Sequence, residues 1–381
     1  MKSRNLYIVS STILVSLLSL SSWMYLLPIF LKDLGATDKN IGFSYTLFTL
    51  GGTGLQFVGG FLADRWGRKV AIVLPTYVTA ILGILIGIAK VWWIVTFLYT
   101  LTAIFSSFQW PAFLAIVGES CKNKERAFSI FEFSIVSGFA LGPLIGYFLL
   151  NFTNIRVLIV LSGTVFLLSA FVRHLFLQET LNERKGINID FRRIFTKNVI
   201  KFLMGSVTLY LLFSITINGP FFTLHMKTFG LSDRRINLLI SFSTLFSLIV
   251  SVFSAKLLRA NILKRVFTIA ILLHGVSAFI WAYVFPQKFN VVLLMISFGA
   301  VQMVFIAYNS IISSLSPESI RARTIGTIGT INGLVSSGGP YIGMIIKVHY
   351  GIQWTFLMGF LFSVLSAFFF KKVPYPSVTS R

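Results

Sequence analysis

Gly60-Phe61-Leu62-Ala63-Asp64-Arg65-Trp66-Gly67-Arg68-Lys69 sets four charged side chains between two long apolar runs. Charges are costly at the centre of a bilayer, so this decapeptide is expected in a short loop at a membrane surface. Gly60 and Gly67 permit close backbone approach and a tight turn. Asp64, Arg65, Arg68 and Lys69 are crowded enough to interact.

Composition points the same way. Mean hydropathy is +0.85; 56% of residues are apolar and 12% charged, about half the charge of a soluble domain. Forty Phe suit lipid-facing and helix-packing surface. The single cysteine, Cys121, excludes a disulfide framework and any cysteine-rich metal site. His174, His225, His274 and His349 are scattered without ligand spacing, so neither a metal nor a cofactor is expected. No Ser/His/Asp constellation or nucleotide-binding loop is visible, and an enzyme is not expected.

Apolar runs fall at about 6–31, 41–63, 70–89, 91–118, 127–150 and 155–177, then at about 198–224, 235–255, 264–285, 289–315, 325–347 and 351–370. Each is long enough for a helix to cross roughly 30 Å of hydrocarbon. With the N-terminus inside, cytoplasmic segments carry 24 of the 33 Lys and Arg and external segments carry 9. That bias follows the positive-inside rule. The 24 inner basic residues are spread over seven segments and not gathered in one patch, which suits anionic membrane lipid and not nucleic acid. The first run, although preceded by Lys2 and Arg4, is too long for a signal peptide, contains Trp23 and Tyr25, and lacks a small-residue cleavage site.

The halves repeat. Lys32, Gly35, Thr37, Asp38, Lys39 and Ile41 have counterparts 195 residues later in Lys227, Gly230, Ser232, Asp233, Arg234 and Ile236. Arg126, Gly142, Pro143 and Gly146 return 197 residues later as Arg323, Gly339, Pro340 and Gly343. Thr37 and Ser232 are suited to capping the helices that follow. Residues 1–178 and 198–381 are read as two six-helix lobes, joined by a hydrophilic linker, 179–197, too short to bury a core.

In all ten positions the decapeptide resembles the signature between the second and third helices of the major facilitator superfamily of secondary transporters. Leu177-Gln178-Glu179-Thr180 also looks like that family's helix-six ending. The resemblance implies an all-α membrane protein of twelve transmembrane helices in two pseudo-symmetric lobes. It also implies a monomer in the plasma (inner) membrane, both termini cytoplasmic, working by alternating access. Asp64 is then expected to approach the N-terminus of helix eleven, beginning near Thr324, and Arg68 to pair with Glu119 as a latch. The alternative is a cluster that only anchors topology. The second half, at Lys256-Leu257-Leu258-Arg259, keeps the basic charge and loses the Gly-Asp pattern, so the latch is one-sided.

Gly138, Gly142, Pro143 and Gly146 allow close helix packing and a kink. They resemble the helix-five signature of family antiporters, but Tyr147 and Ser129 depart from it. Their copies at Gly339, Pro340 and Gly343 favour an ordinary packing seam. Many proton-coupled members carry an arginine on helix four where this chain has Tyr99. Glu132 is the one acid within an apolar run, and it either pairs structurally with Arg173 or carries a coupling ion such as a proton. Resemblance places Trp23, Tyr25, Gln109, Trp110, Tyr210, Asn218, Gln302 and Asn309 on cavity-lining helices, either as solute contacts or as interhelical glue. Asn332 is a further uncharged polar residue, on helix eleven. A cavity so poor in charge suits small uncharged or amphipathic solutes, most simply in efflux. A sugar-like nutrient importer, or a non-transporting receptor or lipid scramblase on the same fold, is the alternative.

Cys121 shares its segment with Lys122, Lys124 and Arg126 and is expected in the cytoplasm. A membrane-impermeant maleimide should label it in inverted vesicles and not in intact cells. Labelling in intact cells alone would overturn the twelve-helix assignment.

Overall fold

Hydrocarbon offers no water to backbone amides and carbonyls, so a chain this apolar crosses a membrane as helices or as a closed barrel. The computed structural model describes residues 2–120, 124–181, 194–257, 262–285, 290–315 and 321–373, and every regular element among them is helical. Cys121 and most of the 179–197 linker lie outside the described residues. In chain order the helices are α1 (Lys2–Met24), α2 (Leu27–Asp33), α3 (Asp38–Gly54), α4 (Gln56–Trp66), α5 (Arg68–Ile88), α6 (Trp92–Ser120), α7 (Lys124–Leu149) and α8 (Ile155–Phe176). The second half contributes α9 (Lys197–Ile215), α10 (Phe221–Thr228), α11 (Asp233–Leu257), α12 (Leu263–Val284), α13 (Asn290–Leu315), α14 (Arg321–Ser336), α15 (Gly338–Tyr350) and α16 (Ile352–Lys371).

Ten of these helices are long and apolar enough to cross a membrane. The other two runs, 41–63 and 325–347, are each cut in two, at Leu55 between α3 and α4 and at Ser337 between α14 and α15. Two further runs end in a short helix after a break. The first run turns at Tyr25–Leu26 ahead of Pro28, and the seventh at Thr216–Pro220. Proline is tolerated at a helix start because the N–H it lacks would have no partner there. Helix eleven begins at Arg321, not near Thr324, so Arg321 and Arg323 belong to its first turn. The apolar pattern alone had hidden that polar turn.

The chain divides into two compact units. One comprises Met1–Thr37, Leu47–Ile187 and Ser232–Ser241; the other comprises Asp38–Thr46, Asn188–Leu231 and Phe242–Arg381. Each unit thus takes in the start of a helix whose remainder belongs to the other, and the two borrowed segments are repeat partners. In the first unit, Asn237 Nδ2 donates to Ser22 O at 2.7 Å, and Arg234 donates to the Tyr147 hydroxyl at 2.9 Å. In the second, Lys347 Nζ meets Asp38 Oδ2 at 2.7 Å, and the Thr46 hydroxyl donates to Ser337 O at the α14–α15 break. Gly35 and Gly230, 195 residues apart, turn the chain ahead of these segments at φ +89° and +75°. Ser232 caps α11 by accepting from the Arg235 N–H.

The repeated glycines form one seam in each unit. A Cβ on Gly142 would collide with Ser21 Oγ and lie 2.7 Å from Leu18 O, while one on Gly339 would collide with Ser214 Oγ. Ser21 and Ser214 are themselves 193 residues apart, so each seam presses the fifth helix of its half on the first. Gly142→Ala should lower stability by about 1–3 kcal/mol through overpacking. Adding Ser21→Ala should return part of the loss, read as melting temperature of the purified protein. An unchanged melting temperature in Gly142→Ala would contradict the seam.

Candidate functional site

The charged decapeptide is not a loop in the ordinary sense. Helices α4 and α5 are joined by Gly67 alone, at φ +106° and ψ 155°, a conformation that L side chains rarely adopt. Asp64 and Arg65 therefore fall in the last turn of α4, and Arg68 and Lys69 in the first turn of α5. Two cations at a helix N-terminus oppose its dipole. Glu179 offsets this. Its carboxylate accepts from the backbone N–H of Arg68 at 2.9 Å and of Lys69 at 3.1 Å. It also accepts from its own neighbours Thr180 and Leu181, both at 2.9 Å. A Cβ at Gly67 would strike this carboxylate, so the glycine serves the cap as well as the turn.

Arg68 meets Glu119 at 3.7 Å, the partner expected from the sequence, and donates to Ala63 O at 2.8 Å. The Thr180 hydroxyl also donates to Glu119. Asn5 joins the group through a reciprocal pair, its Nδ2 to Gln178 O at 2.9 Å and Gln178 N–H to its Oδ1 at 3.0 Å. The ends of α1, α4, α5, α6 and α8 are thereby tied in one cluster. The Asp64 side chain lies outside the described residues, and Arg65 is exposed. The sequence had marked Glu179 only as part of a family-like tetrapeptide. Its role needs the fold, which brings it from 111 residues away to the α5 terminus.

The expected Glu132–Arg173 pair is not formed. Arg173 is 2% exposed; its Nε donates to Thr12 Oγ1 and its Nη1 to Thr76 Oγ1, both at 2.9 Å, and its guanidinium lies 4.9 Å from the Phe113 ring centroid. The Thr76 hydroxyl in turn donates to Gln109 Oε1 at 2.9 Å. Glu132 is exposed on α7. The two side chains differ in setting, Arg173 being buried and Glu132 exposed.

The proposed cavity residues divide in the same way. Gln109 is buried glue within the Arg173 cage, and Gln302 donates to Ser251 Oγ at 3.3 Å. Trp23 is buried, Tyr25 and Tyr210 are half-buried, and Trp110, Asn218 and Asn309 are exposed. Asn218 lies in the break between α9 and α10. Asn332, buried, donates to Ser206 Oγ and to Tyr308 Oη, the latter at 3.0 Å, and so binds α14 to α9 and α13.

The Major Facilitator Superfamily model matches residues 9–340 and 204–380, and the chain belongs to that family. It is a multi-pass membrane transporter of that class. A multi-drug resistance efflux pump PmrA homolog of Lactococcus lactis is 25% identical over 348 residues, covering 86% of this chain and 84% of that one. An MFS-type transporter of Methanocaldococcus jannaschii is 26% identical over 205 residues, about half of either chain (52%). The crystal structure of the nucleoside transporter NupG shares the fold with a TM-score of 0.82, at 15% identity over 98% of this chain and all of that one.

Partial burial pushes the Glu179 carboxyl up, but the backbone N–H groups of Leu181, Lys69, Arg68 and Thr180 outweigh it and hold the group below the ordinary carboxylate range. A folded pKa depressed in this way gives stability that is present above the unfolded value, near 4.3, and lost as pH falls through the folded one. Glu179→Gln should cost about 0.3–1 kcal/mol near neutral pH, as for an exposed charge at a helix terminus. The gap in melting temperature from wild type should close as pH falls from about 7 toward 3. A gap independent of pH would contradict the charged cap.

Proposed function

We propose that this protein exports small uncharged or amphipathic molecules across the inner membrane by alternating access, as a monomer with both termini in the cytoplasm. Similarity to a multi-drug efflux pump along 86% of the chain carries this reading. The chemistry of the spans supports it. Within the twelve apolar runs Glu132 is the one acid, and Arg173 is already engaged by threonines and Phe113. Phosphates or dicarboxylates would call for free arginine in the path. In this reading the Arg68–Glu119 contact and the Glu179 cap, all within the first unit, form part of a latch at the cytoplasmic end, with Arg68 half-buried and Glu119 exposed.

With Arg173 otherwise engaged, Glu132 is the acid we assign to proton coupling. Its carboxyl is exposed on α7, where it can take up and release a proton.

Cells lacking their own efflux pumps, loaded with ethidium and re-energised, should lose the dye several-fold faster when they carry this protein. Dissipating the pH gradient should abolish the difference. No gain for ethidium, and none for a panel of antibiotics and dyes, would favour import or reception instead. In proteoliposomes, Glu132→Gln should keep solute exchange and lose accumulation driven by a pH gradient. Full pH-driven accumulation in that variant would remove Glu132 from coupling.

A further inference from the structure

Three helices of the second unit bring their cation-rich ends to one place. Phe370 on α16 is the common point, its ring centroid 5.3 Å from that of Phe202 on α9 and 4.7 Å from that of Phe267 on α12. Five cations lie within three residues of these rings: Lys201 on α9, Lys264 and Arg265 on α12, and Lys371 and Lys372 at the end of α16. Lys264 Nζ donates to Lys371 O and Val373 O, both at 2.8 Å, which ties the start of α12 to the end of α16. No Asp or Glu occurs anywhere in α9, α12 or α16. Among the described residues none of the five cations meets a carboxylate. Like charges gathered in this way repel one another, so the cluster calls for an anion.

The first unit shows what such a helix start takes. α12 begins 195 residues after α5, and Lys264 stands 195 after Lys69. There Glu179 arrives from beyond the end of α8 and sets its carboxylate on the backbone N–H groups of Arg68 and Lys69. α12 has no side-chain cap and no acid in its first turn. Residues 374–381, which follow α16 as Glu179 follows α8, contain no Asp or Glu. The linker does not make up the charge, since its residues 182–193 hold two acids against four basic residues. The anion that the first unit draws from its own chain must come to the second from outside.

We propose that this cluster binds the phosphate of an anionic phospholipid, in the leaflet that meets the ends of α9, α12 and α16. What adjoins the cations favours a lipid over a free anion. Lys372 Nζ lies 4.0 Å from the ring centroid of Phe368, which is 52% exposed. Further along, Leu361 and Leu365 of α16 and Ile269 and Leu273 of α12 are exposed as well. An ammonium held over an exposed ring, with exposed aliphatic side chains beyond it, matches the boundary between headgroups and hydrocarbon. Lys201, Arg265, Lys371 and Lys372 then serve the phosphate, while Lys264 stays on the α16 carbonyls. In the orientation proposed above, the leaflet is the inner one.

Purified full-length protein in a neutral maltoside detergent is titrated with dioleoylphosphatidylglycerol or dioleoylphosphatidylcholine, and bound lipid is counted by native mass spectrometry. One phosphatidylglycerol should bind saturably, about tenfold more tightly than phosphatidylcholine. Arg265→Gln together with Lys371→Gln should weaken it about fivefold per cation removed. Arg265→Lys with Lys371→Arg should retain binding. Lys122→Gln with Lys124→Gln removes the same charge from another segment and should leave the affinity unchanged. Equal affinity for the two lipids, or equal weakening by both glutamine pairs, would overturn the proposal. So would displacement by inorganic phosphate where chloride of equal ionic strength has no effect, since the site would then be one for free phosphate. The two lipids are compared on wild-type protein, so that arm decides even if a variant fails to fold. No readout involves solute export, and the lipid site and the transport reading can fail separately.

Discussion

A carboxylate set against the start of α5 is the contact on which the charged motif depends. Without it, Arg68 and Lys69 would stand at the positive end of a helix dipole, beside a glycine with a backbone only glycine adopts readily. Glu179 supplies the missing negative charge and four hydrogen-bond geometries at once. Its neighbours extend the effect. Thr180 reaches Glu119, Glu119 reaches Arg68, and Gln178 is held by Asn5. The exit of the sixth span, the start of the first and the Gly67 turn between the second and third are therefore joined in one cluster. The whole group is built from polar contacts near water within one compact unit, each individually weak.

Behind that cluster the architecture rests on a repeat that is equal in packing and unequal in polar chemistry. Glycine at 142 and 339 lets Ser21 and Ser214 approach in the same way. Asp38–Thr46 and Ser232–Ser241 are borrowed by opposite units as repeat partners. The buried polar groups differ. The first unit holds a desolvated guanidinium caged by Thr12 and Thr76, and the second holds the Ser206, Tyr308 and Asn332 network with the hydrogen bond between His274 and Thr216. Duplication set the helix packing, and divergence of a few polar side chains within it gave each unit its own interior.

Much of this was legible in the residues. Length and apolarity mark the runs, because a helix crossing hydrocarbon needs about twenty apolar residues. The glycine and proline copies give the seams, and the ionic decapeptide gives the family. The breaks at Leu55 and Ser337 were not legible, since nothing in an unbroken apolar run distinguishes the residue at which a helix yields. Arg68 with Glu119 was readable by resemblance, whereas Glu179 was not, because its partner is a backbone terminus and carries no side-chain signature. Arg173 misled for a related reason. Threonine hydroxyls and a phenylalanine face satisfy a guanidinium as effectively as a carboxylate, and sequence gives them no special prominence.

The central claim is that the Arg68–Glu119–Glu179 cluster governs movement and is not merely a marker of topology. It is tested most directly by the initial rate of solute exchange in proteoliposomes containing Glu119→Gln, compared with the charge-swapped pair Arg68→Glu with Glu119→Arg. The account predicts a severalfold change in rate for Glu119→Gln at unchanged insertion and nearly unchanged melting temperature, with the swapped pair returning toward wild type. A wild-type exchange rate in Glu119→Gln, with the protein folded and correctly inserted, would contradict it.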